Sequence, residues 1–350
     1  MWGRGLVAER DVMPDTLRRT LREALDDLCR LGATGAQGQV YAHGRDITAS
    51  AGAGMPAAGR FRIGCATGAF TAAVVLQLTS EGRLHLDDEV DTLVPGLLPD
   101  PRITVRHLLQ HTSGLADYVG DLAAGSRLAR HEPRELVALG LAHGPRSEPG
   151  AHWSYANTNA VAAGLVVAAV TGRSWAEQVR NRIARPLGLR DTYFPYDHPA
   201  LPRSSARAYQ QLQLGGPLFD VTELNPTALD AAGGLVSTTA DLTRFWRALR
   251  RGELLDPAGL AEFDRTVPAE TYQDVRAGIG YGLGAFRVPN ASGGFWSHPG
   301  DVPGTATCNG VSADGSRSVV LYRTTTPADR ALRGCMDERA LRLVEEVLAA

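Results

Sequence analysis

Lysine is absent from this 350-residue sequence, and every one of its 36 basic residues is an arginine. A mechanism that needs a lysine amine as base, nucleophile or Schiff-base former is therefore excluded. Cysteine is scarce as well. The four cysteines lie far apart and form no C-x-x-C pair, so they indicate neither a zinc site nor a redox motif: Cys29, Cys65, Cys308 and Cys335.

The sequence also lacks a long hydrophobic run and a strong net charge. Its longest apolar run, residues 160–170, falls short of the roughly 18 residues that a membrane-spanning helix needs. The first fifteen residues, MWGRGLVAERDVMPD, contain no apolar core followed by a small-residue cleavage site, so we expect no signal peptide. A net charge of −2 argues against nucleic acid or a membrane surface as a partner. We expect a reduced cytoplasmic protein that acts on a small-molecule substrate without metal or cofactor, in an oligomeric state that the sequence leaves open.

Hydrophobic residues make up 44% of the chain, enough for one large domain with a buried core. Periodicity predicts helices over 15–31, 71–81, 240–251 and 329–349. It also predicts an edge hairpin over 39–50 and strands over 282–288, 304–311 and 318–323. This order predicts an α/β (α+β) fold in a single domain, 1–350. Its α/β body covers about 12–75 and 230–350, and a helical region covers about 76–229.

Four stretches occur in an order that carries information about family. They read FRIGCATGAFTA from Phe61, ITVRHLLQHTSGLADY from Ile103, WSYAN from Trp153 and HPG from His298. PLGLRDTYF from Pro186 and AAGGLVSTTADLTRF from Ala231 add to them. A single Tyr-x-Asn or His-x-Gly match would carry almost no weight, but the ordered set does.

Over roughly residues 14–350 the chain resembles the penicillin-recognising serine hydrolases, the serine β-lactamases and penicillin-binding proteins. The resemblance implies an antiparallel sheet flanked by helices, with the active site between that body and the helical region. It implies β-lactam hydrolysis, D-peptide cleavage, ester hydrolysis or acyl transfer as the range of activities. Fold alone does not choose among these.

The chain departs from the family at its central motif, where S-x-x-K is replaced by Cys65 and Gly68. A free thiol is about 3% ionised at pH 7. We expect Cys65 in the first turn of the helix that follows Gly64, where a gain of roughly 1.4 kcal/mol would raise that fraction to about a quarter. The sulfur would then compensate in part for the missing lysine.

The resemblance assigns roles to the remaining site residues. Tyr155 is the candidate proton shuttle, Asn157 a donor to a substrate carbonyl, and His298 an acid, base or anion contact near neutral pH. The backbone N–H groups of Cys65 and Asp301, which follows Gly300, are the expected oxyanion donors. The Asp301 carboxylate would disfavour acidic substrates or attract a cationic one.

Each assignment has a plainer alternative. Cys65 is then a small buried hydrophobe, Tyr155 a core residue with its hydroxyl satisfied, and His298 a structural hydrogen-bonding group. We interpret His111 as structural, holding the turn of the helical region. Asp117 and Tyr118 either line the mouth of the pocket or lie in a solvated loop.

Three functions follow. The first is a cysteine-dependent acyltransferase or hydrolase of an ester, thioester or amide, serving small-molecule biosynthesis and inefficient on β-lactams. The second is a repurposed enzyme in which Tyr155 and His298 promote cyclisation, isomerisation, elimination or addition without an acyl intermediate. The third is a ligand-binding pseudoenzyme, because Gly68 removes the base on which a serine would depend.

Overall fold

One antiparallel sheet organises the fold. The computed structural model describes residues 5–122 and 125–349, with side chains from residue 15 onward. The first four residues of the segment examined for a signal peptide lie outside the described residues. The strands are β1 Ala36–Ala42, β2 Arg45–Ala51, β3 Phe61–Arg62, β4 Tyr209–Gln211, β5 Leu218–Asp220, β6 Val236–Ser237, β7 Val267–Pro268, β8 Gly280–Tyr281, β9 Phe286–Val288, β10 Phe295–Ser297, β11 Gly300–Val302, β12 Thr305–Ser312 and β13 Ser318–Thr324.

The helices come from both ends and the middle of the chain. They are α1 Gly5–Arg30, α2 Thr67–Ser80, α3 Val90–Leu93, α4 Val105–Gln110, α5 Val119–Leu122, α6 Pro133–Ala142, α7 Asn157–Thr171, α8 Trp175–Val179, α9 Arg185–Leu187, α10 Asp230–Gly233, α11 Thr239–Arg250, α12 Pro257–Phe263 and α13 Arg330–Ala349. Short 3-10 turns cover Gly64–Ala66, Pro226–Ala228 and Glu270–Tyr272, and a π turn covers Arg180–Ala184.

The main sheet has nine strands in the order β2-β1-β13-β12-β10-β9-β8-β7, with β11 also paired to β12. Helices cover both of its faces. Leu21 and Leu25 of α1 pack with Leu343 and Val347 of α13 on one face, in a core separate from the one that α2 and α11 build on the other. Every residue of β13 is consequently buried, as expected for a strand covered on both sides.

Most of the predicted elements are confirmed. The hairpin β1–β2 lies at the sheet edge, and α1, α2, α11 and α13 form where helical spacing predicted them. Helix α2 begins at Thr67, four residues before its predicted start. The strand predicted over 282–288 is wrong for its first four residues. Gly284 there has φ +91°, and the turn packs so closely on α2 that a Cβ at Gly284 would meet Ala72.

Candidate active site

Cys65 lies in the 3-10 turn that leads into α2, as the sequence predicted. Its side chain is half-buried, whereas Gly64 and Ala66 on either side are fully enclosed. No side chain caps this helix start. Cys65 is therefore the member of this turn that is not fully enclosed, and it lies where the turn meets strand β11.

Two glycines bring strand β11 against this turn. Gly64 has φ +55°, and a Cβ on it would come 2.7 Å from the carbonyl oxygen of Asp301. A Cβ on Gly300 would collide with the carbonyl oxygen of Ile63. Since both positions exclude a side chain, the strand approaches closely enough for the Asp301 N–H to hydrogen-bond the Cys65 sulfur. That N–H is one of the two predicted oxyanion donors.

Tyr155 and Asn157 reach the sulfur from the start of α7. Ala156 between them is extended, so the two flanking side chains project to the same side. The Tyr155 hydroxyl hydrogen-bonds the Cys65 thiol, and the Asn157 Oδ1 lies 3.9 Å from Sγ. Segments that are distant in sequence thus converge on one atom.

Asn157 is held in a way that the sequence did not reveal. Its Nδ2 donates to Asp117 Oδ2 at 2.9 Å, and its backbone N–H donates to Asp117 Oδ1 at 3.3 Å. Asp117 is half-buried and acts as an anchor for this residue, not as part of a solvated loop. With Oδ1 turned toward Cys65, one Nδ2–H remains for a substrate carbonyl. The predicted donor role is therefore open to only one of the two Nδ2 hydrogens, because the other is bonded to Asp117.

His298 is buried and hydrogen-bonded through both ring nitrogens. Its Nδ1–H donates to the Pro299 carbonyl at 2.9 Å, and its Nε2 accepts from the Tyr281 hydroxyl at 3.1 Å. Burial lowers the pKa of His298 to about 4. With this pKa the ring is neutral near pH 7, which favours the base among the three expected roles over the acid and the anion contact, and the role of His298 stays a prediction.

His111 supports the site from behind. The residue ends α4 in the left-handed conformation, and its Nδ1 accepts from the Ala156 N–H at 3.2 Å. Its ring stacks on Tyr155 with centroids 4.2 Å apart. Burial lowers the pKa of His111 to about 3, so the stacked ring is uncharged. These contacts bear out its structural interpretation.

The ionisation of Cys65 differs from the prediction. Burial raises the pKa of the Cys65 thiol, the nearby carboxylates of Asp301 and Asp117 raise it further, and the hydrogen bonds from Tyr155 and Asp301 lower it without reversing the direction. The predicted lowering of the Cys65 pKa is therefore wrong. Desolvation and the nearby negative charges raise the pKa of Cys65 more than the helix start lowers it, so the resting group is a thiol.

Two contributors were missed by sequence reasoning. Tyr281 donates to His298, and the anchoring role of Asp117 appears only in the structure. A tyrosine between glycines in the GYG segment at 280–282 was the available signal for the first. Among the described residues, no group of three or more His, Cys, Asp or Glu side chains is placed to hold a metal ion.

Comparison with known proteins decides the family. A sequence model of the Beta-lactamase family matches residues 17–341. The chain belongs to that family. Its antiparallel sheet flanked by helices is the β-lactamase/transpeptidase-like fold. The roles of Cys65, Tyr155, His298, Asn157, Gly300 and Asp301 within that fold stay predictions.

Solved structures similar to this chain cover nearly all of it. A D-stereospecific amidohydrolase from Streptomyces sp. is 36% identical with a TM-score of 0.86, covering 93% of this chain and 98% of that one. A D-amino acid amidase from Ochrobactrum anthropi SV3 is 26% identical with a TM-score of 0.82, covering 95% and 99%. The chain is thus related to hydrolases along its full fold.

Curated relatives match over shorter stretches. Penicillin-binding protein 4* of Bacillus subtilis is 28% identical over 258 residues, which are 68% of this chain and 54% of that protein. Esterase EstB of Burkholderia gladioli is 30% identical over 258 residues, 64% of this chain and 65% of the esterase. Across three penicillin-binding proteins among the curated relatives, the matched part spans between about half and three quarters of each protein's own length. Across the part of the chain that the structure describes, no helix combines the length and apolarity needed to span a bilayer.

Proposed function

We propose that this member of the Beta-lactamase family transfers acyl groups through Cys65, taking them from an ester, thioester or amide of a small molecule. The observation that carries the proposal is the convergence on Sγ: the Tyr155 hydroxyl and the Asp301 N–H both hydrogen-bond the sulfur of a residue that is half-buried and not fully enclosed. Donors of this kind stabilise a thiolate and the oxyanion that forms after its attack.

The relatives support the choice of substrate class. The solved neighbours carry the names D-stereospecific amidohydrolase and D-amino acid amidase, and a curated relative is an esterase. In the proposed reaction, the Cys65 thiol gives up its proton, Sγ attacks the carbonyl carbon and the C=O electron pair moves to oxygen. Collapse of this adduct breaks the bond to the alkoxide, thiolate or amine, which takes up one proton in place of the one lost from Sγ, and leaves a thioester on Cys65. Water or another nucleophile then releases the acyl group.

The test uses intact mass. The protein is incubated with a p-nitrophenyl ester and, separately, with D- and L-phenylalanine amides. We expect a mass increase of one acyl group minus hydrogen, mapped to Cys65, and its loss in Cys65→Ala. Exposed Cys335 offers the matched control variant, since Cys335→Ala should acylate like the wild type. Turnover without any adduct that also survives Cys65→Ala would contradict the proposal.

One observation favours a second candidate, a protein that binds a ligand without turnover. The pKa of Cys65 is raised by burial, and the pKa of His298 is lowered to about 4, so the resting site contains a thiol and a weak base. That candidate predicts a higher Tm in the presence of substrate analogues, with no adduct and no product. For the acyl-transfer reaction, we propose natural-product biosynthesis as the pathway type in which the enzyme acts.

A further inference from the structure

The start of α2 contains an unfilled space beside the sulfur. Gly68 lies one helical turn after Cys65, and a Cβ built on it would have a single neighbour within 4 Å among the described residues, the His298 Nε2 at 3.8 Å. Sγ itself lies more than 4 Å from that Cβ, so the packing beside Gly68 is sparse. Gly68 is only half-buried, although Thr67 and Ala69 beside it are fully buried. The sparsely packed side of the helix start is therefore the side that is not fully enclosed.

The surroundings of this space are polar and negatively charged. The charged side chains that act most strongly on the thiol, Asp301 and Asp117, are both anionic. His298 is neutral and its Nε2 already accepts from the Tyr281 hydroxyl, whose oxygen keeps lone pairs that can accept further hydrogen bonds. The sequence contains no lysine to place here. A site with this charge and these acceptors is complementary to a cation that donates hydrogen bonds.

We propose that the space beside Gly68 binds a primary ammonium group carried by the substrate, and that this group, not a side chain of the protein, activates Cys65. The inference rests on the proposed acyl transfer at Cys65 and names its substrate class, an ester, thioester or amide that bears a primary amine. n-Butylammonium, which has the dimensions of a lysine side chain beyond its Cα, is the minimal probe.

The proton balance is simple. When the ammonium ion binds, the thiol releases one proton to solvent, and a thiolate–ammonium pair remains. Sγ attacks the carbonyl carbon, and the oxygen receives the electron pair at the N–H groups of Cys65 and Asp301. As the adduct collapses, the ammonium gives its proton to the leaving group and becomes a neutral amine. The products are the thioester and the protonated leaving group.

Other titratable groups face the sulfur and accompany this change. Tyr155 hydrogen-bonds it, and further tyrosines on the surrounding elements sense its charge: Tyr118, Tyr272 and Tyr281. Burial raises the pKa of each of these hydroxyls, so they stay neutral at the pH where the ammonium pair forms. The two carboxylates remain the charged neighbours.

The experiment measures alkylation of Cys65 by iodoacetamide, resolved by peptide mass spectrometry, as n-butylammonium chloride is increased near pH 7. We expect a saturable rise of about tenfold, which corresponds to a thiol pKa about one unit lower. Exposed Cys335 in the same sample should keep its rate. Tetraethylammonium chloride, which adds the same charge but cannot donate a hydrogen bond, should have no comparable effect.

Variants at position 68 make the result specific. Gly68→Leu fills the space and should abolish the response, while Gly68→Lys should give fast alkylation without any amine. Ala138→Leu, exposed on α6, is the matched control and should respond like the wild type. Thermal unfolding checks that each variant is folded. If Gly68→Leu fails to fold, Gly68→Ala replaces it, because its methyl group would make an ordinary contact with His298.

Two outcomes overturn the inference: a Cys65 rate that n-butylammonium does not change, or a response that persists in the folded Leu or Ala variant at position 68. Its failure can be told from failure of the proposed function. Acyl adducts on Cys65 without an amine response would leave acyl transfer standing and remove the ammonium site. An amine response without any adduct would keep the site and remove acyl transfer.

Discussion

Cys65 and Cys308 are both half-buried free thiols close to Asp301, and burial is the main reason why the pKa of each is raised. They lie in different regions. Cys65 is in the turn that leads into α2, with Asn157 of α7 3.9 Å from its sulfur. Cys308 is on β12 and lines a cavity of about 430 Å³ between the sheet and α13, where its pKa rises to about 12.

What separates the two thiols is the set of donors around them. The Tyr155 hydroxyl and the Asp301 N–H, from separate segments, both lower the pKa of Cys65, whereas the hydrogen bond that lowers the pKa of Cys308 comes from the adjacent Asn309 backbone. Exposure and residue type are alike, so they do not identify a nucleophile. Convergent donors do, because they stabilise the charge that reaction creates.

The largest expected effect comes from deleting each sulfur in turn. Cys65→Ala should reduce acylation by a p-nitrophenyl ester at least about a thousandfold, since it removes the attacking atom. Cys308→Ala should leave the rate unchanged. Burst kinetics and intact mass measure both. Equal losses in the two variants would erase the distinction between the regions.

The next largest difference comes from adding a methyl group at Gly300, which begins β11, or at Gly310, which lies in β12. Gly300→Ala collides with the Ile63 carbonyl, so it should displace the Asp301 N–H and slow acylation about a hundredfold. Gly310→Ala instead meets Val344 of α13 at the core. We expect it to lower stability by about 1–3 kcal/mol without slowing acylation of the folded protein. Urea unfolding and acylation rates together separate these effects, and fast acylation in Gly300→Ala would contradict the oxyanion geometry.

Removing one hydrogen-bond donor from Cys65 should have a smaller effect, and it should change the pKa of Cys65 but not that of Cys308. Tyr155→Phe loses the hydroxyl that stabilises the Cys65 thiolate, so the pKa of Cys65 should rise and acylation should slow about a hundredfold or less. The pH dependence of alkylation, followed for each cysteine by mass spectrometry, should shift to higher pH at Cys65 and stay in place at Cys308. An unmoved Cys65 profile would mean that the hydroxyl is merely structural.

The smallest effect concerns stability at alkaline pH. The pKa of Cys308 is about 12 in the folded chain against 9.0 for an ordinary thiol, so the folded state holds this proton more tightly than the unfolded state. Its stabilising contribution is complete below about pH 9 and is lost as pH rises toward 12. Wild type should therefore lose about 1 kcal/mol more than Cys308→Ala between pH 8 and pH 10 in urea unfolding. Equal losses of stability in the wild type and in Cys308→Ala would show that the Cys308 thiol is not desolvated.

Much of the fold was predictable because periodicity reports burial directly. Leu21 and Leu25 at helical spacing predicted α1, and the hairpin at the sheet edge followed from alternation. The candidate residues do lie close together in the folded chain: Cys65, Tyr155, His298, Asn157, Gly300 and Asp301. Their catalytic roles, the cytoplasmic location and the biosynthetic setting stay predictions.

The errors share a cause. The pKa of Cys65 was predicted from its place at a helix start and that of His298 from the ordinary value for histidine, but burial in the folded chain is the largest cause of each shift. Tyr281, and the anchoring role of Asp117, were overlooked because their partners lie 17 and 40 residues away. Local pattern does not contain that information.

Residue identity along the chain was enough to establish the family, the course of the main elements and the replacement of the usual hydroxyl and amine by Cys65 and Gly68. Chemical type is a property of single residues, and hydrophobic spacing is a property of short segments. Shifted pKa values and packing are not. The raised pKa of Cys65, the lowered pKa of His298 and the sparse packing beside Gly68 arise only after folding, because solvent exclusion and close contact are produced by atoms that the chain brings together from far apart.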